Sequence, residues 1–412
     1  MQIRQSGVEN RRGTMVWAAV LLAMVGWAAD GCVVSESDNG ELAKAPEALQ
    51  LLPPNLAAAT GADSNLQVLG VNAMNTLVLS DRQNATTGAW TAGFPFGTGG
   101  AGGGGGSGFS TPPATGIVAD LGITAAGGNR VTSSLFVFGL KTADGSATIL
   151  TTQIGSIWTG GSSPFGSGAY LALATGHSST GNLNLIGLQA DHFAAVVGAQ
   201  DASGGWHLRG ALPGQTAMLS AIAAGRGGSN LLQVVGLGIS DKKAYLAGWQ
   251  DSGGVWQSGF ILPGQTAQMS QIAVGNGNGG QLQVLGLGPS GQVYLVNWQD
   301  TSGNWHGGFQ LPSVNQSFSS IAAARGADGH LQVFGIVGNT GLPMLAAWQD
   351  ANGNWFAGGP LPNPGQPMAR IAVAPGANGS VQVVGIGGAD SQTYVAFWQD
   401  PSGAWHGGSV LP

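Results

Sequence analysis

The stretch Trp298-Gln299-Asp300-Thr301-Ser302-Gly303-Asn304-Trp305 decides the fold, because it recurs at nearly constant spacing. Its first three residues return in steps of 49, 50 and 50 residues, at Trp249-Gln250-Asp251, Trp298-Gln299-Asp300, Trp348-Gln349-Asp350 and Trp398-Gln399-Asp400. A second tryptophan follows each Asp by five residues, at Trp256, Trp305, Trp355 and Trp405. A period near 50 residues indicates tandem copies of one structural unit.

More degenerate copies lie upstream of these four. Gln200-Asp201 precedes Trp206 at the same spacing, Gln153 precedes Trp158, and Gln83 precedes Trp90, which makes seven copies. In these three copies the position of the first tryptophan is taken by Arg82, Thr152 and Ala199.

Each copy contains four short apolar runs that are separated by turns. In one copy they begin with the small-residue run Ile321–Ala324 and the run Leu331–Gly335. Four strands per 50 residues are typical of a propeller blade, and seven complete copies favour a closed ring over an open solenoid. The sequence therefore predicts an all-β fold, a seven-bladed β-propeller of four-stranded blades, with the Ala-rich strand innermost. Either each blade is complete within one segment, or the frame is shifted by one strand and 56–59 closes the last blade.

Composition excludes several classes of function. Only 8% of the residues are charged, and 74 of 412 are Gly. From residue 50 onward three Lys and six Arg stand against 13 Asp and no Glu, a net charge of −4. Such a surface repels phosphate, so we expect no nucleic-acid partner.

The N-terminus resembles an export signal. Arg4, Arg11 and Arg12 precede an apolar run at 15–29, too short for a membrane-spanning helix. Cys32, the only cysteine, follows directly and resembles a lipoprotein acylation site; ordinary cleavage near residue 28 or 29 is the alternative. We expect a signal peptide over 1–31, a tether over 32–55 and the propeller over 56–412, with a Gly-rich insertion at 97–115. The protein would then be exported, and would be either lipid-anchored at the cell envelope or secreted.

The recurring polar and aromatic residues have two interpretations. Structurally, the second Trp of each copy is a wedge between blades, and the Asp and Gly form a hairpin turn. Functionally, a Trp face with Gln, Asp and His groups nearby suits a sugar, which has an apolar C–H face and a rim of hydroxyls. His207, His306 and His406 each follow the second Trp and should face the opposite side of the strand. Equivalent positions in a ring lie too far apart to share a metal, so we expect neither a metal nor a cofactor.

The unit Leu-Gln-Val-x-Gly followed by Trp-Gln-Asp-x-x-Gly-x-Trp, repeated seven times, resembles the PLL-like (Photorhabdus lectin type) seven-bladed propeller lectins. This resemblance spans about 56–412 and implies glycan partners, with fucose or O-methylated sugars bound between blades. The predicted ligand-binding residues belong to the four regular copies, whereas Cys32 is the predicted lipidation site. They are Trp249, Gln250, Asp251, Trp256, Trp298, Gln299, Asp300, Trp305, His306, Trp348, Gln349, Asp350, Trp355, Trp398, Gln399, Asp400, Trp405 and His406.

Catalysis is not expected. The segment Asp-x-x-Gly-x-Trp resembles the Asp-box hairpins of sialidases, but no Glu follows Glu47 and the Arg residues are scattered. Paired carboxylates for another glycosidase could come only from Asp residues, most of which sit at repeated turns. The main alternative to a lectin is a non-catalytic propeller of the cell surface that binds proteins or has a purely structural role.

Overall fold

The computed structural model describes the part of the chain that carries the repeats. The described residues are 56–60, 66–71, 77–84, 87, 89–95, 121–129, 134–141, 144–154, 157–162, 164–312, 315–326, 329–362, 366–375, 381–390, 392–400 and 402–411. The predicted signal peptide, Cys32, the tether and the Gly-rich insertion lie outside these residues.

The described residues form seven four-stranded antiparallel sheets, which confirms the predicted seven-bladed architecture. Blades 1 to 3 consist of β1 (Leu56–Thr60), β2 (Leu66–Val71), β3 (Leu77–Gln83), β4 (Trp90–Pro95), β5 (Leu121–Asn129), β6 (Ser134–Lys141), β7 (Ala147–Ile154), β8 (Ile157–Ser162), β9 (Tyr170–His177), β10 (Leu183–Gln189), β11 (Ala194–Gln200) and β12 (Trp206–Ala211).

Blades 4 to 7 continue in the same order, with one short 3-10 turn at Asn278–Gly280. They consist of β13 (Leu219–Arg226), β14 (Leu232–Gly238), β15 (Ala244–Gln250), β16 (Trp256–Ile261), β17 (Gln271–Asn276), β18 (Leu282–Leu287), β19 (Val293–Gln299), β20 (Trp305–Gln310), β21 (Phe318–Arg325), β22 (Leu331–Val337), β23 (Pro343–Gln349), β24 (Trp355–Gly359), β25 (Met368–Pro375), β26 (Val381–Gly387), β27 (Thr393–Gln399) and β28 (Trp405–Val410). The four strands of each blade are called a to d below.

Every blade is complete within one stretch of chain, so the unshifted frame is the correct one. Strand β1 pairs with β2 in the first blade, and β25 to β28 form the last. The innermost strands contact one another around the ring, and β25 of blade 7 packs against β1 of blade 1. The ring therefore closes by side-chain packing and not by a strand shared between the two ends.

Small and apolar side chains allow the innermost strands to pack closely around the ring. The run Ile321–Ala324 is buried on the innermost strand of blade 6, and the equivalent Ile222, Ala223 and Ala224 are buried in blade 4. The buried clusters extend across blade boundaries, so each blade covers its apolar faces with its neighbours. In the part of the chain that the structure describes, no helix is long and apolar enough to cross a membrane.

Candidate functional site

The turn between strands c and d is held by its aspartate. In blade 5 the Oδ1 atom of Asp300 accepts hydrogen bonds from the backbone amides of Ser302 and Asn304, both at 2.9 Å. Gly303 has φ of +86°, a conformation that an L residue rarely adopts. The same turn recurs at Asp201, Asp251, Asp350 and Asp400. The predicted hairpin role of these aspartates is therefore confirmed.

This turn brings the first tryptophan opposite the residue that follows the second one. Trp298 pairs with His306 across strands c and d, and their rings stack at 4.4 Å with planes 21° apart. Trp398 stacks on His406 at 4.1 Å and 16°. In blade 6 the partner of Trp348 is Phe356, at 4.8 Å and 22°.

The ring that faces solvent is the one after the second tryptophan. The side chains of His306 and His406 are 44% and 42% exposed, and Phe356 is 43% exposed. The tryptophans beneath them are half-buried and pack against the interior clusters. We call these three stacked pairs the ring platforms: His306 on Trp298, Phe356 on Trp348 and His406 on Trp398.

Blades 3 and 4 keep the same turn and strand pairing, but each lacks one of the two stacked rings. In blade 4 the half-buried Trp249 lies opposite Gln257, and in blade 3 Ala199 lies opposite His207. Several equivalent sites were predicted within blades 4 to 7; the structure shows a stacked pair of rings in three of these blades.

Each exposed histidine bonds to the aspartate of its own turn. The Nε2 atom lies 2.9 Å from Oδ2 of Asp300 in blade 5 and 2.8 Å from Oδ2 of Asp400 in blade 7. The hydrogen bonds from His306 and from the amide of Asn304 hold the pKa of Asp300 well below its usual value. For Asp400 the Ser402 hydroxyl and then His406 lower the pKa in the same way. Both carboxylates are therefore ionised across the physiological range, so Nε2 must carry the hydrogen that it shares with them.

The four predicted glutamines occupy the blade interface. Gln250, Gln299, Gln349 and Gln399 are all buried. The Nε2 atom of Gln349 donates to the carbonyl oxygen of Gly353, and its Oε1 accepts from Gln283 of blade 5 at 3.1 Å. Gln399 likewise meets Gln332 of blade 6 at 3.4 Å. Gln349 and Gln399 thus join neighbouring blades, and all four side chains lie away from solvent, so the structure does not place these glutamines where a sugar could reach them, contrary to the sequence-based expectation.

In blades 3 to 7 the second tryptophan packs at the interface with the preceding blade. Trp405 lies with its ring centroid 5.5 Å from that of Phe334 of blade 6, and Trp206 lies 5.6 Å from Phe138 of blade 2, in edge-to-face geometry. Trp256, Trp305 and Trp355 are half-buried against the clusters between blades. This geometry agrees with the wedge interpretation.

A second repeated feature, the loop between strand d and the next blade, was not among the predicted sites. Leu-Pro-Gly-Gln-Thr occurs at 212–216 and again at 262–266. The side-chain amide of Gln265 makes two hydrogen bonds to the backbone of Ala244. Its oxygen accepts from the N–H at 2.6 Å, and its nitrogen donates to the carbonyl oxygen at 2.8 Å. Each loop borders a shallow surface depression. The depression beside 212–216 has a volume of about 210 Å³ and is lined by Tyr245 and Phe260. The one beside 262–266 has a volume of about 190 Å³ and is lined by Tyr294 and Phe309. The identical five-residue motif was the signal that could have revealed these loops.

The described residues contain no group of three or more His, Cys, Asp or Glu side chains that could hold a metal ion. The His–Asp pairs of blades 3, 5 and 7 are separate two-residue contacts.

Comparisons with known proteins found weak similarities to solved structures. No protein-family model matches the chain, and no curated protein matches it. A solved variant of AofleA from Arthrobotrys oligospora is 16% identical over 68% of this chain and 83% of its own, with a TM-score of 0.47. A lectin of Aleuria aurantia, described as a six-bladed β-propeller with a novel fucose recognition mode, is 17% identical over 70% of this chain and 94% of its own, with a TM-score of 0.45.

A fungal alcohol oxidase of the AA5 family, in complex with copper, is also similar, at 14% identity over 83% of this chain and 72% of its own, with a TM-score of 0.49. At these identities and scores the similarities carry no conclusion about what this chain binds or whether it catalyses a reaction. The resemblance to PLL-like lectins stays a prediction from the sequence.

Proposed function

We propose that this protein is a non-catalytic, carbohydrate-binding propeller that holds sugars on its ring platforms. One observation carries the proposal: three equivalent rings, His306, Phe356 and His406, face solvent at the same place in three consecutive blades. Each of these rings lies beside a turn rich in polar groups. Fucose or an O-methylated sugar is the ligand that the resemblance to PLL-like lectins suggests.

The platforms offer the two kinds of contact that a sugar needs. An aromatic face supplies apolar surface for the C–H side of a pyranose ring. In blade 5 the Nε2 atom of His306 is already bonded to Asp300, whereas Nδ1 makes no hydrogen bond within the described residues and can meet a hydroxyl. Asp300 itself accepts from Ser302, from His306 and twice from Asn304, so it orients the imidazole and does not contact the sugar directly.

Several weak sites on one rigid ring can act together. One shallow platform should give about millimolar affinity, or about −4 kcal/mol. Engagement of two or three platforms on a glycan-coated surface would raise the apparent affinity by a factor of about 10² or more. The small net negative charge of the propeller segment suits neutral sugars better than anionic ones.

A glycan array followed by titration of the best ligand tests the proposal. We expect wild-type protein to bind, and the triple variant H306A/F356A/H406A to lose at least about tenfold in apparent affinity through the loss of stacking and avidity. The matched control is His207→Ala, which removes an exposed histidine from blade 3, where no tryptophan lies opposite. Equal binding by wild type and triple variant, with both folded, would contradict the assignment. Absence of any glycan ligand would favour the protein-binding alternative.

We also propose that the protein is exported and that Cys32 carries a lipid. The support is the order of basic residues, apolar run and lone cysteine at the N-terminus. Mass spectrometry of the mature protein should show loss of the first 31 residues and a lipid mass on Cys32. A Cys32→Ser variant should leave the membrane fraction; unchanged fractionation would argue against the lipid.

A further inference from the structure

The chain contains five Asn-Gly pairs, a dipeptide that is chemically labile. The backbone nitrogen of the glycine can attack the side-chain Cγ of the asparagine, because glycine has no Cβ to shield that nitrogen. The attack closes a five-membered succinimide and releases ammonia, and water then opens the ring to aspartate or isoaspartate. The described residues include the pairs at 276–277, 278–279 and 352–353, whereas 39–40 and 378–379 lie outside them.

The fold holds the reacting nitrogen in two of the three described pairs. The amide of Gly353 donates to the carbonyl oxygen of Asp350 at 3.0 Å, inside the turn of blade 6. The amide of Gly277 donates to the carbonyl oxygen of Gln281 at 2.9 Å, and the side chain of Asn276 donates to two further carbonyl oxygens. Each of these nitrogens must lose its hydrogen bond before it can attack, so folding slows the reaction at both pairs.

The pair Asn278-Gly279 lacks this protection. Within the residues that the structure describes, the amide of Gly279 donates no hydrogen bond. Asn278 and Gly279 are both exposed, and a Cβ built on the next residue, Gly280, would meet no atom within 4 Å. The reacting nitrogen is therefore untied, and the turn is open to the water that the second step consumes.

Asn278 also connects two blades. Its Nδ2 atom donates to the carbonyl oxygen of Ala351, in the turn of blade 6 that precedes Phe356. Its backbone amide donates to the Oε1 atom of Gln349 at 3.2 Å. Conversion of Asn278 to aspartate removes the Nδ2 donor and places a carboxylate oxygen opposite the carbonyl oxygen of Ala351. Two acceptors cannot share a hydrogen bond, so this contact between blades 5 and 6 is lost.

We propose that Asn278 is a site of spontaneous deamidation that weakens the contact between blades 5 and 6. The nitrogen of Gly279 forms a bond to Cγ of Asn278, the bond from Cγ to Nδ2 breaks, and the proton of the attacking nitrogen leaves with the ammonia. Water then hydrolyses the succinimide, and the product carries one additional negative charge. The reaction needs no enzyme and no reactant other than water.

Peptide mapping of the folded protein by mass spectrometry, after incubation at pH 7.5 and 37 °C, tests the proposed site. Conversion of an amide to a carboxyl group raises the mass, and fragmentation of the peptide locates the change. We expect Asn278 to be modified about fivefold faster than Asn276 or Asn352, the factor that one backbone hydrogen bond of ordinary net strength provides.

Two controls separate the effect of the fold from that of the dipeptide. In concentrated urea the hydrogen bonds of the turns are absent, so the three asparagines should react at similar rates. The variant Asn278→Gln keeps a side-chain amide, but its cyclisation must close a six-membered ring. This position should therefore stay unmodified in the variant over the same incubation.

Two further variants test the consequence for the blade interface. Asn278→Asp carries the charge of the product, and Asn278→Ala removes the same donor without adding a charge. We expect the urea midpoint to fall from wild type to Asn278→Ala and again to Asn278→Asp, because the carboxylate repels the oxygens of Ala351 and Gln349.

Modification of Asn278 in the folded protein at a rate equal to or below that of Asn352 would overturn the proposed site. A urea midpoint of Asn278→Asp at or above that of Asn278→Ala would overturn the proposed weakening of the interface. Neither measurement depends on a sugar, so both results are independent of the proposed carbohydrate binding.

Discussion

Two neighbouring residues of the repeat, Gln299 and Asp300, lie in opposite environments. Gln299 is buried at the blade interface, whereas Asp300 lies in the partly exposed turn between strands c and d and bonds an exposed histidine. This turn and the residue after the second tryptophan are together called the rim below. The Gln and the Asp both recur in every regular copy, so repetition by itself does not separate structural residues from ligand-binding ones. Variation between the copies does separate them. The buried glutamine is kept in blades 4 to 7, whereas the residue after the second tryptophan is His, Gln or Phe.

Burial explains this difference. A glutamine at the interface must keep its partners, because an unsatisfied buried amide costs about 1–3 kcal/mol. Several of these amides already have a carbonyl oxygen without a partner in the described residues, including those of Gln283, Gln299 and Gln332. Such polar interiors are often completed by ordered water. A rim side chain in contact with water carries no such penalty and is free to vary.

The largest expected effect is a difference in stability loss between variants of two phenylalanines, one buried at the blade interface and one exposed at the rim. Phe334 is fully buried at the interface of blades 6 and 7, where it meets Trp405. We expect Phe334→Ala to lower the free energy of unfolding by about 3–5 kcal/mol. The matched rim change, Phe356→Ala, should cost about 1 kcal/mol, since it removes one exposed stacking contact. Urea unfolding of both variants measures the two losses in free energy of unfolding. Equal losses would contradict the distinction between interface and rim.

A smaller effect is expected for two glutamines. Gln349→Leu removes the acceptor for Gln283 across the interface and should cost about 1–3 kcal/mol. Gln257→Leu removes a part-buried hydrogen bond to Asp251 at the rim and should change stability by less than about 1 kcal/mol. The difference in urea midpoint between the two variants is the measurement. A larger loss for Gln257→Leu would reverse the assignment of interface and rim.

The smallest effect concerns pH. Because hydrogen bonds from His306 and Asn304 lower the pKa of Asp300 in the folded protein, its ionised form stabilises the turn above the unfolded value of about 3.8. That contribution should decline as the pH falls from 3.8 through the lower folded-state pKa. Wild type should therefore exceed Asp300→Asn in stability at pH 7, and the gap should narrow on acidification below pH 3.8. A gap that widens with acid would contradict this linkage.

Much of the fold could be predicted from the sequence, and less of the site. The period of about 50 residues, with alternating apolar runs, was enough for the blade number and the strand content. The turn aspartates followed from local chemistry alone. The interface role of Gln349 did not, because its partner Gln283 lies 66 residues away and belongs to another blade.

Of the three exposed rings, His306 and His406 were predicted as ligand-binding residues, whereas Phe356 was missed for a physical reason. The expectation placed a tryptophan against solvent, yet the pairing of strands c and d sets His306 or Phe356 over the first tryptophan. That pairing depends on the register of the hairpin, which the spacing of Trp298 and Trp305 does not by itself specify. The alternation along strand d correctly set His306 on the side opposite Trp305.

The most direct test of the central claim is a crystal structure of the protein with a bound glycan from the array. We expect sugar density stacked on the exposed faces of His306, Phe356 and His406. Density in the depressions beside Phe260 and Phe309, with bare ring platforms, would contradict the assignment and move the binding site to the other end of strand d.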